Sequence, residues 1–145
     1  MSYTEIPMEL RELKQWGLYH RIWQEDNKKY TKIPVDPYSG CAGKSNDSST
    51  WSDFVTALNA MEHFSNADGL AFYFSNGYIG IDIDHIGDDI NRYIDGDRDN
   101  NIVDEFITST HSYAERSMSG EGIHIIAKGK LPEGQRRRGN FEMYN

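Results

Sequence analysis

The residues best placed to do chemistry are a pair of acids in an apolar run, GIDIDHIG at 80–87. Along an extended strand, successive side chains alternate between faces. Ile79, Ile81 and Ile83 then share one face, and Gly80, Asp82 and Asp84 the other. The isoleucines can enter a core while both carboxylates project together. Two carboxylates at that spacing repel unless a cation lies between them or one is protonated. An apolar strand carrying Asp-x-Asp therefore suits Mg²⁺ or Mn²⁺, hard ions that take carboxylate oxygens and keep waters that substrate phosphates replace. The same pair equally suits an exposed strand end with two solvated acids. The flanking isoleucines favour a central strand, where acids without a counter-ion are costly.

A second stretch, SMSGEGIHIIAKG at 117–129, joins small residues to a strand. Ser117, Ser119, Gly120 and Gly122 form a loop in which glycines let backbone amides approach a phosphate and serine hydroxyls add donors. His124 shares a face with Gly122 and Ile126 and is placed to donate to a triphosphate oxygen; the competing reading is a satisfied core histidine. A third stretch, FEMYN at 141–145, sets Glu142 and Tyr144 on one face. Glu142 would supply a third carboxylate to a metal site, although a lone Glu in such a place is usually a surface acid.

The elements that must position these groups are legible in the periodicity. EIPMELRELKQW has Leu10, Leu13 and Trp16 three apart and predicts a helix. Residues 18–23 and 29–35 read as two strands around the polar turn QEDNK. The segment 36–50 is a Gly-, Ser-, Asn- and Asp-rich loop. Thr50 or Ser52 can cap a helix through DFVTALNAMEHF, with Phe54, Ala57, Leu58 and Met61 on one face. GLAFYF (69–74), the turn SNG and YIGIDID (78–84) read as a hairpin. IGDDINRYIDGDRDNN is polar and reads as irregular. A short helix at 101–110 and strands at SYAERS, 122–129 and 141–144 complete the order. This is an α+β domain with a mainly antiparallel sheet and packed helices.

Bulk properties bound the function. The 145 residues suit a single domain, 1–145, with 37% hydrophobic and 26% charged residues, which excludes collagen-like and wholly disordered classes. No apolar run approaches the roughly 20 residues of a membrane helix, and no signal peptide is visible, so a cytoplasmic location without membrane partners is expected. The lone Cys41 makes no internal disulfide and cannot anchor structural zinc by itself.

The net charge of −8 argues against a general nucleic-acid binder, yet it is unevenly spread. Acids crowd the stretch from Asp82 to Glu105, and Lys128, Lys130, Arg136, Arg137 and Arg138 make a basic run. Such asymmetry can set a metal site beside a phosphate surface, or simply mark two solvated faces. Two motifs fail on spacing. GCAGKS at 40–45 has Tyr38 where a P-loop needs Gly, and DGDRDNN has Asn100 and Phe106 where a calcium loop needs Gly and Glu. No HxH pair or HExxH helix is present.

Taken in order, an apolar strand with Asp-x-Asp, a small-x-His strand and an apolar strand with an acid resemble the archaeo-eukaryotic primase superfamily, and most closely its phage and plasmid primase-polymerase branch. The likeness extends through IPMELRELKQW, KIPVDPYSG, TWSDFVTAL, GLAFYF, YIGIDIDH, SYAERSMSGEGIHIIAKG and FEMY. It implies an RRM-like sheet joined to an N-terminal α/β unit. It also implies that Asp82, Asp84 and Glu142 hold two divalent ions, Mg²⁺ or Mn²⁺, for nucleotidyl transfer.

By the same resemblance His124 contacts the incoming nucleoside triphosphate, Ser117, Ser119, Gly120 and Gly122 line its path, and Lys32 is a further phosphate contact. Single-stranded or primed DNA template and a fused or separate helicase are the implied partners. More sheet normally follows the third motif in that branch, so the resemblance leaves three readings: a chain truncated at its C-terminal end, a fragment of a larger primase-helicase, or a degenerate stand-alone copy. The alternative is a non-catalytic primase-like module that binds nucleotide, nucleic acid or a replication protein. A metal-dependent nuclease on a similar sheet is a third possibility.

Overall fold

The computed structural model describes residues 6–117, 119–131, 137–139 and 141–144. The chain divides into two compact units, Met1–Tyr73 and Phe74–Asn145. Both are mixed α+β and, among the described residues, every paired strand is antiparallel, as expected for the fold class.

The first unit contains α1 (Met8–Arg11), β1 (Trp16–Gln24), β2 (Lys29–Val35), α2 (Phe54–His63) and β3 (Gly69–Phe72), with sheet order β2-β1-β3. The helix expected over 5–16 is reduced to the single turn α1. Short helices gain little on their own, and Trp16 is taken instead by strand pairing opposite Phe72. The Trp16 indole reaches back to donate to the Leu10 carbonyl, and its ring meets Phe54 of α2 edge-on at 5.0 Å. The cap of helix α2 is Asp53, one residue after Ser52 and three after Thr50, the two expected caps. Asp53 caps it by accepting the Thr56 amide at 2.8 Å, while Ser52 is held in a bridge to Trp16 and Thr50 ends a 3₁₀ turn.

The second unit contains β4 (Tyr78–Ile83), α3 (Gly87–Ile94), α4 (Ile102–Thr110), β5 (Tyr113–Arg116), β6 (Ile123–Lys128), β7 (Arg137–Arg138) and β8 (Phe141–Tyr144). The sheet order is β5-β6-β4-β8-β7, so the Asp-x-Asp strand β4 is central. Ile81, Ile83, Ile123 and Ile125 form a core with Ile90 of α3 and Val103 of α4. Both helices therefore cover one sheet face, and the residues between these isoleucines point to the other.

Two expectations are corrected here. β3 and β4 are not a hairpin: β3 pairs with β1, and β4 pairs with β6 and β8. The turn itself exists, with left-handed Asn76 and Gly77 and the Tyr78 amide donating to the Ser75 carbonyl, but it joins two sheets rather than two partners. Residues 86–101 are not irregular throughout, because α3 lies within them. Ile86, Ile90, Tyr93 and Ile94 recur at helical spacing, and Ile90 is buried.

The acid-rich turn after α3 is held by internal partners. Arg92 bonds Asp97 at 2.9 Å and Asp89 at 3.2 Å. Buried Asn101 caps α4 through the Val103 amide and donates to the Asp89 and Asp97 carbonyls. This clasp gives the acidic stretch a structural role. No helix among the described residues is long and apolar enough to cross a membrane.

Candidate active site

The face of the second sheet away from its helices carries the polar row. Register sets Glu115 of β5 opposite His124 of β6, His124 opposite Asp82 of β4, and Asp82 opposite Glu142 of β8. Directly opposed residues project to the same side, so four chemistry-bearing residues stand in line across four strands. The next row consists of Tyr113, Ile126, Gly80 and Tyr144.

Asp82 is the hub. His124 Nδ1 lies 2.5 Å from Asp82 Oδ1, and the Tyr144 hydroxyl donates to the same oxygen at 2.9 Å. A carboxylate only accepts, so the His124 proton on this bond sits on Nδ1. Burial, and then the Asp82 charge, raise the Tyr144 phenol above its ordinary value and keep it a donor. Both bonds fall on Oδ1. At the row's outer end the Tyr113 hydroxyl donates to Glu115 at 2.9 Å.

Gly80 makes the Tyr144 bond possible. A Cβ there would strike the Tyr144 ring and lie 2.8 Å from the Phe74 ring, which packs edge-on against Tyr144 at 4.9 Å. The bare backbone at Gly80 is thus the floor on which Tyr144 crosses β4 toward Asp82.

Asp84 lies one residue beyond β4 and is exposed. The left-handed His85, φ 58°, then turns the chain into α3. Gly122 lets the start of β6 pass close by, since a Cβ would meet the Ile83 carbonyl at 2.6 Å and Asp84 Oδ1 at 2.8 Å. The loop before β6 is closed on itself. Ser117 Oγ accepts the Gly122 amide at 3.1 Å, Ser119 Oγ accepts the Glu121 amide at 3.3 Å, and the two hydroxyls lie 3.1 Å apart. Gly120, at φ 79°, donates to the Ser117 carbonyl.

The structure thus brings Asp82, His124 and Glu142 side by side and sets Gly122 against Asp84. Lys32 belongs to the first unit, where its Nζ lies 4.5 Å from the centre of the Tyr19 ring. Among the described residues, no three His, Cys, Asp or Glu side chains are gathered as they stand into a metal-holding group. Of the basic run, Arg136 lies outside the described residues. Sequence reading missed Glu115 and the bond from Tyr144 to Asp82. Tyr144's shared face with Glu142 was visible, whereas Glu115 joins the row only through the β5–β6 register.

No family model matches the chain. Over 139 residues, 93% of its length, it is 30% identical to a DNA primase-polymerase of Nitratiruptor phage NrS-1, of which it spans 18%. The resemblance carried by the motifs is therefore supported along nearly the whole chain.

Proposed function

We propose that this chain, similar throughout to part of a phage primase-polymerase, is the nucleotidyl-transfer core of such an enzyme and serves phage or plasmid DNA replication. The observation that supports this most is the adjacency of His124, Asp82 and Glu142 on one sheet face, residues that follow one another along the chain as Asp82, His124 and Glu142, the order the motifs have in that branch. On this reading the whole of 1–145 acts as one primase-polymerase-like domain with an RRM-like sheet. Its substrates are nucleoside triphosphates and a single-stranded or primed DNA template, and a fused or separate helicase works with it.

The donor chemistry fits a hard divalent ion. Asp82 and Glu142 are cross-strand partners, Asp84 lies two residues along, and all their donors are carboxylate oxygens. Asp82, Glu142 and Asp84 would hold Mg²⁺ or Mn²⁺, which supplies activation of the attacking 3′-hydroxyl and charge neutralisation on the leaving pyrophosphate.

The remaining work belongs to the chain itself. Tyr144 and His124 fix the Asp82 carboxylate from two sides, so it is oriented before substrate arrives. With Nδ1 donating to Asp82, His124 donates to a triphosphate oxygen through Nε2 as the imidazolium, the form in which both ring nitrogens carry protons. Ser117, Ser119, Gly120 and Gly122 form a tight turn whose fixed shape limits where the triphosphate lies. The reaction joins the 3′-oxygen to the α-phosphorus and breaks the bond to pyrophosphate.

Asp82→Asn is the direct test. Incorporation of labelled nucleotide on a primed template is expected to fall at least a hundredfold while far-UV circular dichroism is unchanged. Wild-type incorporation by a folded Asp82→Asn protein would end this reading. The absence of a ready three-donor group among the described residues favours a second one, a non-catalytic primase-like binding module. It predicts nucleotide or DNA binding by the wild type without incorporation in either Mg²⁺ or Mn²⁺.

A further inference from the structure

We propose that the outer part of the β1–β2 ribbon is a binding surface for single-stranded DNA, stacking bases on its rings and neutralising phosphates with Arg21 and Lys32. This deepens the functional reading by assigning template contact to named residues, but its physical case rests on the first unit alone.

β3 pairs with β1 only from Trp16 to Tyr19, so beyond Tyr19 the strands β1 and β2 continue as a two-stranded ribbon. Register sets Tyr19 opposite Pro34, Arg21 opposite Lys32, and Trp23 opposite Tyr30. These six residues share one face. Trp23 and Tyr30 are 46% and 56% exposed, and Ile22 and Ile33 are exposed on the opposite face. Large apolar side chains left open on a narrow ribbon mark a recognition surface.

The cations on this face are arranged in an unusual way. Two like charges directly across an antiparallel pair repel. Arg21 and Lys32 resolve this by leaning apart over diagonal rings: the Arg21 guanidinium lies 4.9 Å from the Tyr30 centroid, and Lys32 Nζ 4.5 Å from that of Tyr19. Neither makes a salt bridge with an acid among the described residues. The Trp23 ring stands edge-on to Tyr30 at 5.2 Å and extends the series. The face thus alternates ring and cation with no acid in it, although the whole chain carries a net charge of −8.

Charge complementarity calls for an anion, and the interleaved rings call for one that also presents flat apolar surfaces at short intervals. Single-stranded DNA meets both demands, because every unpaired base has a stacking face and every linkage a charge. A duplex hides its base faces. An acidic peptide would satisfy the cations but leave the rings open. The face carries no Asn, Gln or acid to read base edges, so binding is expected to tolerate sequence.

The test uses the full chain and fluorescein-labelled oligo(dT) in EDTA without nucleotide, read by anisotropy across a salt series. Arg21→Ala with Lys32→Ala is expected to weaken binding about tenfold and flatten the log K against log salt slope by about 1.4. Tyr30→Ala is expected to cost about tenfold as well. Trp16 and Trp51 are 4% and 8% exposed, so quenching by oligo(dT) should come from Trp23 and largely vanish in Trp23→Phe while binding persists.

If the alanine pair perturbs folding, Arg21→Gln with Lys32→Gln gives the same readout. Wild-type affinity and slope in folded variants would overturn the assignment. So would no oligo(dT) binding by the wild type, tighter binding of duplex, or binding of polyglutamate in preference to DNA. Labelled-nucleotide incorporation by the wild type keeps the two readings apart. Its loss with oligo(dT) binding intact counts against the polymerase reading alone, whereas incorporation with ribbon variants that bind normally counts against this one alone.

Discussion

Asp82 matters through the company its register gives it. One oxygen accepts from both His124 and Tyr144, and the Tyr144 phenol stays protonated because burial and the neighbouring carboxylate resist its ionisation. Tyr144→Phe removes one hydrogen bond to a charged group, worth about 1.5–3 kcal/mol. Nucleotide incorporation should fall about 10- to 100-fold with the fold intact, which steady-state kinetics beside circular dichroism would show. Gly80→Ala should reach the same end by another route. Its methyl collides with the Tyr144 and Phe74 rings, so we expect a loss of about 1–3 kcal/mol in urea unfolding together with reduced incorporation. The isoleucine-acid alternation of 79–84 already separated a core face from a polar face. Glu115 could not be found that way, because its membership of the row depends on which residue of β6 lies opposite.

Among the elements, helix α2 shows how a cap is chosen. Thr50, Ser52 and Asp53 can all cap, and the backbone selects Asp53 because Ser52 is tied to Trp16 across the first sheet. The Thr56 amide holds the Asp53 carboxyl below its ordinary value. That stabilisation is present above the unfolded value of about 3.9 and is lost as pH falls through the lower folded value. Asp53→Ala should cost about 1 kcal/mol at neutral pH, with the difference from wild type shrinking in acid, as thermal melts across pH would reveal. Helix α3 was hidden by its composition. Its many charges suggested a loop, but Ile90 is anchored beneath the second sheet and Arg92 gathers the acids that follow. Ile90→Ala should destabilise by about 2–5 kcal/mol in denaturant titration.

For the molecule as a whole, charge is informative only once it is located. The acids after α3 are clasped by Arg92, and cations line the β1–β2 ribbon, so the net −8 describes neither surface. If Asp82, Asp84 and Glu142 hold Mn²⁺, the ion should stabilise the native state by about 2.7 kcal/mol at a hundred times its Kd. Calorimetry of the wild type should show the raised melting temperature, and Asp82→Asn with Glu142→Gln should abolish it. An unchanged wild-type melt would remove the ion from the proposal. The sequence alone determined the properties set by local period and residue type: an α+β class, most of the strands, and acids opposed to isoleucines on one strand. Tertiary structure alone decided which strands pair, and hence that β3 and β4 part company, that Glu115 joins the polar row, and that Arg21 faces Lys32. Periodicity fixes the face a side chain takes, but pairing is a choice among distant partners made by the burial and hydrogen bonding of the whole sheet.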